Sequence, residues 1–204
     1  MINLEKGEIT MQVMQRKTKI QIRKEIIQFL NQTCGRIDPK SGKYRCGTIH
    51  RNCLVLATSY KDIPRATPLE FFNEGLTIYI FGEGGGKIAN IKRNHNVSAA
   101  IYQQPMKHNV IQKSLQILGK AEIINMKNNP SLYKAKAKKW NMYVVAGNLG
   151  RPFLQNKRLS DKDRKAVVEK ILYSLNLIKI IPDNIIMREY HTDFSAPKYE
   201  WKKI

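Results

Sequence analysis

Apolar positions along the chain change period several times, and each change marks an element. Between residues 20 and 32, Ile22, Ile26, Phe29 and Leu30 recur at helical spacing and predict an amphipathic helix. Residues 36–52 are polar and carry Pro39, Gly42 and Gly47, which predicts a loop. Short strands then follow in succession over 54–59, 65–72 and 76–81, with turns at 60–64 and at Asn73-Glu74-Gly75. Within 76–81 the residues Tyr79, Ile80 and Phe81 alternate at strand period, so at least one face belongs to a core. A brief helix is expected over 87–93, a fourth strand over 97–103, and a long strand over 114–125 with Gly119 as a bulge.

The last third mixes the two periods. Asn129 before Pro130 reads as an N-cap with proline at the first helical position, opening a helix through Lys139. Ser160 and Asp163 have capping-box spacing, and Val167, Val168, Ile171, Leu172 and Leu175 form one apolar face after them. Residues 177–181 and 185–190 read as two strands broken at Pro182-Asp183. Many short strands with helices packing outside predict a mostly β chain with α, built as a small closed barrel. Residues 1–17 are expected to be a loose arm and 18–204 a single domain, with no internal repeat.

Composition narrows the classes. A length of 204 residues with 42% hydrophobic content suits one globular domain. No apolar run reaches the roughly 20 residues that span a bilayer, and the N-terminal residues lack the apolar stretch of a signal peptide, so a cytoplasmic protein without membrane association is expected. The formal charge of +20 favours anionic partners. One alternative is therefore a basic small-barrel module that holds nucleic acid, with Lys134, Lys136, Lys138 and Lys139 as its best support. Three cysteines cannot pair fully within one chain. Cys34, Cys46, His50 and Cys53 include donor types that zinc uses, but their spacing matches no finger, and no metal site is assigned.

The candidate chemistry lies between residues 53 and 103. Gly82, Gly84, Gly85 and Gly86 precede Lys87, yet Phe81 holds the first Walker position and Ile88 follows the lysine, so this is no nucleotide P-loop. What remains is a strand-to-helix turn whose amides can approach an anion, with Lys87 as a point charge. Arg65, at the head of a strand, can supply a fork opposite it, a sound way to hold a phosphate. Taken singly, the two cations could equally be solvated surface residues. The sequence has no Ser/His/Asp arrangement, HExxH or paired-carboxylate motif, and no catalytic residue is assigned.

Leu56 to Thr58, the Pro64-Arg65 entry into Thr67-Pro68-Leu69, Ile78 to Phe81, and Gly86-Lys87 with Asn90-Ile91 occur in an order that resembles the FMN-binding split-barrel family, the pyridoxamine 5'-phosphate oxidase-like flavoproteins. The resemblance covers about residues 50 to 125. It implies a split barrel, FMN as cofactor, and a homodimer with flavin at the subunit interface. It implies an oxidoreductase passing hydride or electrons from a donor such as NAD(P)H to a small-molecule acceptor. Arg65 and Lys87 would contact the flavin phosphate, with Ala66, Thr67 and Pro68 along the ring system. Ile80 and Phe81 would lie beside the ring, Asn90 would belong to the Lys-x-x-Asn-Ile pattern, and Gln103 or Gln104 would meet the ring edge. Trp201 would cover a flavin edge or anchor the tail. Relatives of this fold also bind haem or a deazaflavin, and both stay open. The chain departs from the resemblance at Gly82, where nitroimidazole-reductase-like members often have histidine, and at His95, where proline is usual. His95 is accordingly read as a turn residue.

Overall fold

The computed structural model describes residues 17–33, 36–40, 44–45, 53–102, 111–155, 159–192 and 194–204. Thr18 and Gln21 exchange hydrogen bonds at the start of α1 (Lys19–Thr33). The helix buries Ile22, Ile26, Phe29 and Leu30, the stripe its spacing predicts. The polar stretch expected to be loop contains a two-stranded ribbon, β1 (Arg36–Ile37) with β2 (Tyr44–Arg45). β3 (Cys53–Tyr60) and β4 (Ile63–Glu70) form a hairpin. Its loop is only Lys61 and Asp62, at φ 50° and 59°, the left-handed pair that matches strand twist. β4 therefore starts two residues before Arg65 and ends two before Phe72, earlier at both ends than the spacing predicts.

The chain continues through β5 (Phe72–Glu74), β6 (Thr77–Gly82), α2 (Gly86–Arg93), β7 (Asn96–Tyr102) and β8 (Gln112–Ile124). Four helices follow: α3 (Pro130–Lys139), α4 (Met142–Leu149), α5 (Arg151–Leu154) and α6 (Asp161–Ser174). The Asn129 side chain accepts from Leu132 N–H at the start of α3, and Ser160 and Asp163 complete the capping box of α6. β9 (Asn176–Tyr190) and β10 (Lys198–Lys202) end the fold.

Among the described residues the larger sheet is antiparallel, in the order β4-β3-β7-β8-β9-β6-β5, with β10 added to β9. β6 pairs with β9 as far as Ile180, and β10 takes over from Asn184. β9 is thus one strand rather than the two expected. At Pro182 it opposes Gly119, where the register of β8 and β9 shifts, and the bulge absorbs the break that proline would otherwise cause. The bulge at Gly119 is where the sequence predicts it.

Inside the sheet lie Leu54, Leu56, Ile78, Ile80, Ile101, Ile117, Ile178, Ile180 and Ile185, closed at one side by α1. The opposite face of β6 is also buried. Tyr79 and Phe81 meet Tyr133, Trp140, Ala146 and Leu172 of the helical layer. Phe72 stacks on Trp140 at 4.9 Å between ring centroids, and the Tyr133 hydroxyl donates to Leu172 O at 2.8 Å. The half-barrel with flanking helices is the architecture the periodicity points to. No helix among the described residues is long and apolar enough to cross a membrane.

Candidate functional site

The hairpin of β3 and β4 is the platform on which α2 is laid. Asn90 Nδ2 donates to the buried Thr58 Oγ1 at 3.3 Å, and Asn94 Nδ2 donates to Ser59 O at 3.2 Å. These bonds set the helix against β3, whose Thr58 pairs with Arg65 of β4 across the hairpin. Gly85 caps the helix at φ 116°, a conformation glycine adopts without strain, and no side chain caps the first amides.

The Arg65 guanidinium rests against Gly86, the first helical residue. A Cβ at Gly86 would stand 2.7 Å from Arg65 Nε and 2.8 Å from its Cζ. The following residue, Lys87, runs back over Gly82, where a Cβ would stand 3.3 Å from its Cε and 3.7 Å from Nζ. Two glycines therefore make room for two cations at the positive end of one helix, whose first turn has no acidic residue. Among the described residues neither Arg65 nor Lys87 forms an ion pair. Arg65, Ala66, Gly86 and Asn90 line an open cleft of about 360 Å³, continued outward by Pro64, Ile63 and Tyr60.

The remaining expected site residues are dispersed. Thr67 faces the barrel side opposite Leu56, and Pro68 lies opposite Val55 on the outer side. β4 is the edge of the sheet, where the donor that proline lacks is tolerated. The Ile80 side chain is wholly enclosed in the barrel, and the partly buried Phe81 packs in the helical layer. Trp201 packs on the barrel core from β10, in a groove with Lys19, Ile20 and Arg23 of α1, apart from the Arg65 cleft. Gln103 and Gln104 fall outside the described residues, as do Cys34, Cys46, His50 and residues 1–16 of the expected arm. Cys53 is a half-buried free thiol, and no cluster of metal-ligating groups occurs among the described residues. His95 pairs with β8, its Nδ1 3.1 Å from Ala121 O, as befits a turn residue.

Sequence reasoning missed Tyr60, Thr58 and Arg93. The Arg93 guanidinium lies 4.8 Å from the centre of the Tyr60 ring, at the far end of α2. Tyr60 follows the strand expected over 54–59, and its pairing with Ile63 depended on the two-residue loop. In the lysine cluster of α3, Lys136 and Lys139 both bind Glu74, the latter at 2.5 Å. Burial alone would raise the Glu74 pKa, but the two ammonium groups hold it below its usual value. Lys136 also lies 4.9 Å over the Tyr79 ring, so half of the cluster is committed to packing.

No protein-family model matches the sequence. No curated protein matches it either. Solved structures do. One is a pyridoxamine 5'-phosphate oxidase-related, FMN binding protein from Nostoc punctiforme, 13% identical, covering 74% of this chain and 88% of its own at TM-score 0.49. Another is an FAD-binding protein from Mesorhizobium loti, 16% identical over 68% and 84% of the two chains, at TM-score 0.46. A further structure superposes over 92% of this chain and 95% of its own, at 11% identity and TM-score 0.52. Identities this low speak to fold alone. The structure at TM-score 0.52 shares the half-barrel with flanking helices over nearly the whole of both chains.

Proposed function

We propose that this chain is a cytoplasmic flavoprotein that holds FMN and acts as an oxidoreductase, with NAD(P)H as donor and a small molecule as acceptor. The observation that carries the reading is the Arg65 guanidinium lying on Gly86 at the uncapped start of α2. Free helical amides and a forked cation meet there, and Lys87, turned back over Gly82, adds charge to the same turn, a donor set that suits a phosphate monoester dianion. The missing Cβ at Gly86 lets the Arg65 guanidinium lie against the helix start, beside the amides a phosphate would take. Arg65 would take phosphate oxygens through its fork, and Lys87 would add charge. The edge of β4 at Ala66, Thr67 and Pro68 would present backbone groups to the ring system. A bound flavin supplies the hydride and electron chemistry. The protein's part is to bind, orient and shield it.

The other half of the proposal is a homodimer. The helical layer covers the outer face of β6, whereas the outer face of β3, β7 and β8 carries exposed Val55, Tyr102 and Leu118. Ala57, Pro68 and Ala100 lie among them in register, with Ser98, Ser114 and Gln116 between, an uncharged and largely apolar surface suited to a second copy.

The visible spectrum of the purified protein, with mass analysis of any released ligand, tests the reading. A two-band flavin spectrum and a released flavin, FMN or its adenylated form, support it. Arg65→Ala combined with Lys87→Ala should strip the flavin and leave the fold intact. Unchanged flavin occupancy in that variant would refute the site. A colourless wild-type chain that takes up no FMN, yet binds a polyanion with a steep salt slope, would favour the nucleic-acid module instead.

A further inference from the structure

The cleft does not stop at the phosphate. α2 runs along the β3–β4 hairpin, with Gly86 against Arg65 at one end, Asn90 beside Thr58 in the middle and Arg93 against Tyr60 at the other. Eight residues of helix make this groove about 12 Å long at 1.5 Å per residue. Its outer end is walled by Tyr60, Pro64 and Ile63, and Ile63 is 71% exposed although it is a large apolar residue beginning a strand. A phosphate monoester fills only the Arg65 end. Nothing in FMN reaches Tyr60 if its ring lies along Ala66 to Pro68, because Ile63 and Tyr60 lie in the opposite direction from Arg65.

Resting on the flavin reading above, we infer that this groove accepts the adenylate half of a flavin dinucleotide, with its first phosphate at Arg65 and Gly86 and its adenine ring at Tyr60 and Arg93. The length of the groove matches the reach from a first phosphate to the base of an adenosine diphosphate. The Tyr60 ring at the outer end has Arg93 at 4.8 Å and Lys61 at 5.7 Å, and the ring with the planar guanidinium offers a base a stacking surface. The second phosphate then falls mid-groove, past the guanidinium of Arg65. Tyr60 and Ile63 thereby determine cofactor length rather than phosphate affinity.

Titration of the full-length apoprotein with FMN and with FAD, followed by quenching of flavin fluorescence, tests this. FAD should bind about tenfold more tightly than FMN, a stacking contribution of ordinary size. Tyr60→Ala and, separately, Arg93→Ala should remove that preference and leave FMN affinity unchanged. Equal affinity for the two flavins in wild type, or variants that weaken both alike, would overturn the inference while the flavin reading stands. Failure to bind either flavin would overturn the flavin reading, and this inference with it. Thermal melts confirm that each variant is folded, and Arg93→Ala decides the matter should Tyr60→Ala unfold.

Discussion

One hydrogen atom at Gly86 separates a held guanidinium from a displaced one. With the Cβ position 2.7 Å from Arg65 Nε, Gly86→Ala must push the fork away from the helix start. Gly86 lies inside a helix and not in the left-handed region, so alanine there should raise stability by about 0.5 kcal/mol through the unfolded chain. The expected result is opposed effects: a melting temperature that holds or rises, and FMN affinity reduced about tenfold, the scale of one charged hydrogen bond. Isothermal titration beside a thermal melt checks both. Gly82→Ala should do less, since its Cβ meets only the flexible end of Lys87 at 3.3 Å. The two cations were legible in the sequence because a turn, a glycine run and a strand entry bracket them. The role of Gly86 was not, because it depends on a distance between residues 21 positions apart. The layers that enclose Ile80 and Phe81 were hidden for a related reason: strand period tells which residues share a face, but not which face a neighbouring layer has already filled.

Among the elements, β9 carries the most connections, since β8, β6 and β10 all pair with it. Its bulge is built tightly. A Cβ on Gly119 would stand 2.3 Å from Ile181 O and 2.9 Å from Pro182 Cα, both backbone atoms without freedom to move aside. Gly119→Ala should therefore cost about 3 kcal/mol, at the upper end for overpacking, read as a lower denaturant midpoint. The sequence revealed the glycine half of this feature and disguised the proline half, because proline breaks an isolated strand but is harmless where a bulge suspends the ladder. Farther along β9, the buried Glu189 binds Lys113 at 2.7 Å and Lys17 at 3.1 Å, and Lys17 also holds Glu25 of α1 at 2.7 Å. Burial alone would raise the Glu189 pKa, yet the two lysines overcome it and hold the carboxyl below its ordinary 4.5. A carboxylate depressed in the folded state adds stability above its unfolded pKa and loses it as pH falls through the folded value. The melting temperature should thus decline below about pH 4.5. Glu189→Gln should flatten that decline and lower stability at neutral pH, because two half-buried ammonium groups are left to share Glu25 alone.

At the scale of the whole molecule the half-barrel is clothed unevenly. Both faces of β6 are covered because α3, α4 and α6 pack over its outer side, and this explains why Tyr79 is buried and Phe81 partly so. α4, the least legible of the four, hides in a run of apolar and β-branched residues that favours strand as much as helix. On the outer face of β3, β7 and β8 no helix arrives among the described residues. Val55 at 42%, Leu118 at 43% and Tyr102 at 55% exposure share that face, and β4 leaves an unpaired edge beside it. With a formal charge of +20 spread over 204 residues, two copies repel unless the contact is itself poor in lysine and rich in apolar area. The face formed by Val55, Ala57, Pro68, Ala100 and Leu118 meets that condition, and Arg65 extends from the neighbouring edge strand. Light scattering at several concentrations and at low and high salt should give the mass of two chains, with association strengthened by salt as the like charges are screened. Val55→Asp with Leu118→Asp should yield a folded monomer, each new carboxylate costing more to bury than the apolar side chain it replaces gains. Loss of flavin in that monomer, with Arg65 and Lys87 untouched, would place part of the cofactor site on the second copy. Retained flavin would confine the site to one chain and make the pairing a matter of stability alone.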